Sequence, residues 1–212
     1  MEVNNFKLIE SLLDFSSNDD FYFLQILKRK KENPEVPSNH NNNKRSIRTY
    51  YITSLEHFKS IETEVKAICL ATNSRAYIHP TKRSFKKTGK LFAIQVMERV
   101  FNEEYSHIYK AFNTACGHIE SSCGTKLWVI DIDDSFEVTQ QYLEILNKYV
   151  WEDYSKTGRR EILTIIPTKN GYHIITKPFR VDTFLQDCSI AKLSNPDIQK
   201  NNPTLLYYSD GK

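Results

Sequence analysis

The stretch LWVIDIDD, Leu127 to Asp134, closes a strongly apolar run with three acids in four residues. Alternate residues of a strand face the same way. Val129, Asp131 and Asp133 therefore share one face, and Trp128, Ile130 and Ile132 share the other, which is expected to pack on helices. Two carboxylates about 7 Å apart along one strand suit a hard divalent cation. Mg²⁺ takes oxygen ligands and draws several of them from water and substrate phosphates. A bare D-x-D also describes acids that merely face solvent. Asp134 breaks the alternation, and either it or Ser135 reads as the cap of the next helix.

On the carboxyl side of this strand, VTQQYLEILNKYVWEDY sets Val138, Tyr142, Ile145, Leu146 and Tyr149 on one helical face. EILTIIP reads as a strand, TKNG as a turn and YHIIT as a second strand, with Asn-Gly as the hairpin signal. VDTFLQDCSIAKL is a short helix and PTLLYYSD a last strand. The order is β-α-β-β-α-β, that of a ferredoxin-like or RNA-recognition-type fold. In such a fold the first and third strands lie side by side. If His173 lies on the open face, Lys169 and His173 are then expected near Asp131, acids for a metal facing an imidazole and an ammonium for phosphate oxygens. For an isolated His, a structural role bonded to backbone is the commoner case. Asp210 ends the last strand as a candidate third carboxylate, although Ser-Asp-Gly is also turn chemistry.

The first half is expected to form an N-terminal αβ lobe. Strands are expected over 19–30, 46–52 and 75–80, single helices over 4–15 and 54–71, and two helices in succession over 88–115. Ser54 reads as a helix cap. Between the first two strands lies a polar, Asn-rich loop at 31–45, the segment of this chain most expected to be disordered. The boundary between lobes is expected at 118, giving lobes of 1–118 and 119–212 within one compact unit.

A D-x-D strand, a later strand entered through Gly171 and carrying His173, and a last apolar strand, PTLLYYSD, closing at Asp210 resemble the archaeo-eukaryotic primase superfamily. The resemblance covers mainly 127–210. It implies an α+β protein with an RNA-recognition-like (β-α-β-β-α-β) catalytic core behind an αβ lobe. It also implies nucleotidyl transfer from a nucleoside triphosphate to a nucleic-acid 3′-hydroxyl in DNA replication or repair. Asp131, Asp133 and Asp210 would hold Mg²⁺ or Mn²⁺, and His173, with Lys169, would meet the nucleotide phosphates. Single-stranded DNA is the implied template, and a helicase or other replication protein an implied partner. Arg75, Lys82, Arg83 and Lys87 are further candidates for template or triphosphate, although basic loop residues are usually solvated.

The bulk properties agree with a globular protein. The chain has 212 residues, is 40% hydrophobic and carries a formal charge of +3, which permits contact with nucleic acid without requiring it. No run approaches the roughly 20 apolar residues of a membrane span, no secretory signal is evident, and a cytoplasmic location is expected. Cys116, His118 and Cys123 lack an evident fourth ligand, which Cys188 or His107 would have to supply, so reduced thiols are expected rather than zinc. Two other readings stay open. One is a non-catalytic module that binds single-stranded nucleic acid through aromatic residues. The other is a metal-dependent nuclease or replication initiator, which normally needs a paired-His motif and a nucleophilic Tyr.

Overall fold

The computed structural model describes residues 1–30, 32–34, 44–157 and 162–210. The protein is α+β, built on two antiparallel sheets. In chain order the elements are β1 (Glu2–Asn4), α1 (Phe6–Glu10), β2 (Asp20–Arg29), β3 (Lys44–Ile52), α2 (Leu55–Ser60), α3 (Glu62–Thr72), β4 (Arg75–Ile78), β5 (Arg83–Ser84), α4 (Phe85–Phe101) and α5 (Ala111–Gly117). There follow β6 (Trp128–Ile132), α6 (Phe136–Thr157), β7 (Ile162–Pro167), β8 (Tyr172–Thr176), α7 (Val181–Ile190), β9 (Asp197–Gln199) and β10 (Thr204–Ser209). Most of the polar loop expected at 31–45 lies outside the described residues. Among the described residues no helix is long and apolar enough to cross a membrane.

The first sheet has the order β1-β10-β4-β2-β3, with β5 paired to the start of β2. Tyr22, Leu24 and Ile26 turn one face of β2 into a core shared with Phe6, Phe58 and Val65 from α1, α2 and α3. Phe21 and Phe23 point the other way, against Cys116 and Phe112 of α5. This two-sided burial explains why DDFYFLQIL is apolar without clean alternation. The helix expected over 54–71 breaks in two at Ile61. The Ser60 hydroxyl donates to the His57 carbonyl at 2.9 Å, competing with the helical ladder there. Ser54 caps α2 as expected, its Oγ accepting from the His57 amide at 3.0 Å.

The second sheet has the order β7-β8-β6-β9. Ile130, Ile132 and Ile174 press one face onto Tyr142, Leu146 and Phe184 of α6 and α7. Each fully buried Ile is worth about 1.5–3 kcal/mol. On the other face Val129, Ile166 and Ile175 join the core of the first sheet. The two sheets thus share an apolar seam that stops where the polar residues of β6 and β8 begin. The cap of α6 is Ser135, whose Oγ accepts from the Val138 amide at 3.3 Å.

One expectation about topology is corrected. The last strand, PTLLYYSD, was expected to complete the second sheet. It lies instead in the first, between β1 and β4, crossing back over the boundary expected at 118. The fourth strand of the second sheet is the short β9, which pairs with β6. The physical reason is burial. Residues 204–208 are buried on both faces, which demands a central position with a neighbour on each side. β6 already has β8 and β9 as its neighbours.

Candidate functional site

β6 and β8 run antiparallel with Asp131 directly opposite His173. Directly opposed residues share a face of the sheet, and their side chains meet. His173 Nε2 lies 3.3 Å from Asp131 Oδ1, and Nδ1 lies 2.8 Å from the Thr204 hydroxyl of β10. His173 is buried, while Asp131 is part-exposed and Asp133, just past the strand end, faces solvent.

The turn between β7 and β8 is locked to the end of β6. The Thr168 amide donates to the Gly171 carbonyl at 2.8 Å, and the Gly171 amide to Thr168 Oγ1 at 3.1 Å. A β-carbon on Gly171 would stand 2.0 Å from the Ile132 carbonyl oxygen and 3.0 Å from Asp133 Cα. Only glycine lets this turn come so close to the acid-bearing backbone.

Asp131, Asp133 and His173 form one wall of a cleft of about 560 Å³ between the sheets. The opposite wall comes from the first sheet and carries Arg29, Lys44 and Arg75, with Glu32 and Lys169 between. Arg29 and Lys44 are partners across β2 and β3. Desolvation, and then the Arg29 charge beside it, lowers the affinity of Lys44 for its proton. Arg75 grips Glu32 with two donors, Nε at 3.0 Å from Oε2 and Nη2 on Oε1, while Lys169 Nζ lies 3.1 Å from Oε1. The Tyr208 hydroxyl holds the Lys169 ammonium above its usual pKa, burial opposes this, and Glu32 adds to the rise. Acids on one side and a surplus of cations on the other give the cleft the field of a site for a metal and a polyanion.

The structure thus brings together Asp131, Asp133, His173 and Lys169. It does not bring Asp210 to them. Asp210 accepts from the N-terminal ammonium group at 2.7 Å and is not among the residues lining the cleft. Its strand belongs to the other sheet and ends beside Met1, so the third-carboxylate expectation is corrected. Of the other basic candidates Arg75 lines the cleft, Lys82 and Arg83 are spent inside the fold, and Lys87 is exposed on α4. Lys82 pairs with Asp20 at 2.8 Å, Arg83 is fully buried on Ser122, His79 and Asn201, and Lys87 donates to the Ser122 carbonyl. Cys116 is buried against Phe21 and Phe23, and the Cys123 thiol lies 3.6 Å from Asp20. Sequence reasoning missed Arg29, Glu32, Lys44 and Asp197. Asp197 is exposed on β9, opposite Asp131 on the side away from His173.

Among the described residues, no three His, Cys, Asp or Glu side chains converge closely enough to hold a metal ion by themselves. Asp131 and Asp133 offer two hard oxygen donors, a set that fits Mg²⁺ or Mn²⁺ when water and substrate phosphates complete the shell. Comparison with protein-family models, with curated proteins and with solved structures finds no match to this chain.

Proposed function

We propose that the protein is a primase–polymerase-like nucleotidyltransferase that adds nucleotides from triphosphates to a nucleic-acid 3′-hydroxyl. The observation that carries this reading is the pairing of Asp131 with His173 across β6 and β8, in a cleft whose far wall is basic. The strand order β7-β8-β6-β9, with helices α6 and α7 as its crossovers, supports an RNA-recognition-like core over residues 128–199.

Asp131 and Asp133 would hold Mg²⁺ or Mn²⁺. Bound there, the metal supplies charge neutralisation at the transferring phosphoryl group and lowers the pKa of the attacking hydroxyl. The chain's own residues orient the substrate. His173 is a buried ring held at Nδ1 by Thr204, with Nε2 on the Asp131 side, and Lys169 and Arg75 line the same cleft. Rigid donors around a polyphosphate are what in-line displacement requires. A single-stranded DNA template and a replication partner such as a helicase belong to the same proposal. A cleft that pairs two acids with cations fits metal-bound phosphate better than bare phosphodiester, which acids repel.

The test is templated nucleotide incorporation in Mn²⁺ or Mg²⁺, comparing wild type with an Asp131→Ala, Asp133→Ala double variant. The variant is expected to lose activity by at least about 100-fold, the scale of losing metal catalysis. Equal activity of the two proteins, or none in the wild type with any template, rejects the proposal.

A further inference from the structure

A carboxylate of the protein itself holds an anion position in the cleft. Glu32 receives two donors from Arg75 and one from Lys169. The same two cations lie over the Tyr208 ring, 4.6 and 4.9 Å from its centroid. An aromatic face attracts cations, so the two heads are held in place by more than Glu32. A guanidinium fork beside an ammonium is the donor set that takes a phosphate. Burial works against the Glu32 charge, yet Arg75 and Lys169 outweigh it and keep the carboxyl below its usual range. Cations strong enough to do this for a carboxylate will do it for a phosphate. All three residues line the cleft that holds Asp131 and Asp133.

We propose that Arg75 and Lys169, on the Tyr208 ring, form a phosphate seat, and that Glu32 is its built-in competitor, which a ligand phosphate must displace. The seat needs neither Asp131 nor Asp133. Only its assignment to an incoming nucleotide rests on the proposed function. Glu32 then sets a threshold: weak or singly charged anions fail to displace it, and a polyphosphate succeeds.

The experiment is calorimetric titration with pyrophosphate in the presence of a chelator, so that no metal takes part. Glu32→Gln keeps the shape of the side chain and removes its charge. It is expected to bind roughly tenfold tighter than wild type, the order set by one competing charge-assisted contact. Adding Lys169→Gln to that variant should return most of the gain. Equal or weaker binding by Glu32→Gln overturns the proposal, since the carboxylate would then be positioning Arg75. Should Glu32→Gln fail to fold, Lys169→Gln alone gives the answer: weaker pyrophosphate binding supports the seat and unchanged binding removes it. Two further probes separate the sources of phosphate. A gain with a nucleoside triphosphate alone assigns the seat to the nucleotide, and a gain with a single-stranded oligonucleotide alone assigns it to the strand backbone. Either supports the seat, and a gain with neither overturns it. The gain should persist in the Asp131→Ala, Asp133→Ala background, so failure of the seat and failure of the catalytic reading are seen separately.

Discussion

His173 has both ring nitrogens committed, Nε2 to Asp131 and Nδ1 to the Thr204 hydroxyl. The Thr204 contact comes from the other sheet, so the ring of the candidate phosphate ligand is oriented across the seam. Thr204 is fully buried. Replacing it with Val keeps the volume and removes the partner of Nδ1. A buried polar atom left unpartnered costs about 1–3 kcal/mol. Thr204→Val should therefore lower unfolding stability by that amount in urea, with the slope of the transition unchanged. Nucleotide affinity should fall as well, because the ring loses its anchor. Unchanged stability and affinity would mean that water replaces the hydroxyl and that the ring is fixed by Asp131 alone.

The turn from β7 to β8 brings His173 and Lys169 to the end of β6, and Gly171 is its closest approach. Gly171→Ala must push the turn off the Ile132 carbonyl. Overpacking against backbone costs about 1–3 kcal/mol, and the shift falls on Asp133 and Lys169. Weaker Mn²⁺ binding together with a lower urea midpoint is the expected pair of results; a loss of stability alone would show that the turn yields without moving the acids. The hairpin and both helices around it were legible because each is long enough to show its period: two for LWVIDID and YHIIT, 3.6 for the run ending at Tyr149. Periodicity gave the face-mates of Asp131 and of His173, but whether the two faces match is decided by the register of β6 on β8. It failed for β9, whose three residues DIQ are too short to show any alternation. It failed again for β10, where a bulge between Leu205 and Tyr207 breaks the period and the choice of sheet is a long-range matter. Glu32 was invisible for another reason: it lies beside a polar, proline-containing run that reads as solvated loop, and nothing local tells that its carboxylate turns inward to Arg75.

The first and last strands meet in the first sheet, where β1 pairs with β10. The entry to β6 is tied to the same sheet through the segment after β4. Thr81 Oγ1 exchanges bonds with the amide and carbonyl of Leu127 at 2.9 and 3.2 Å, and the Cys123 amide donates to the Lys82 carbonyl at 2.9 Å. Lys82 anchors this strap to the first sheet through Asp20, which is buried at the start of β2. Burial raises the pKa of Asp20, but Lys82, the Ser16 hydroxyl and the Ser17 amide more than reverse this, leaving it below the usual 3.8. A carboxyl whose folded pKa is depressed contributes stability that is fully present above its unfolded value. That contribution disappears as pH falls through the folded value. Asp20→Asn leaves the Lys82 charge without its closest partner and should cost about 3 kcal/mol at neutral pH, although Asp14 at 3.2 Å retains part of the pairing. The gap between wild type and Asp20→Asn, measured by urea unfolding at a series of pH values, should be constant above about pH 4 and should narrow below it as Asp20 takes up its proton. A gap that stays constant down to pH 3 would show that Asp20 binds its proton equally in the folded and unfolded chain, so that Lys82 does not favour its charged form.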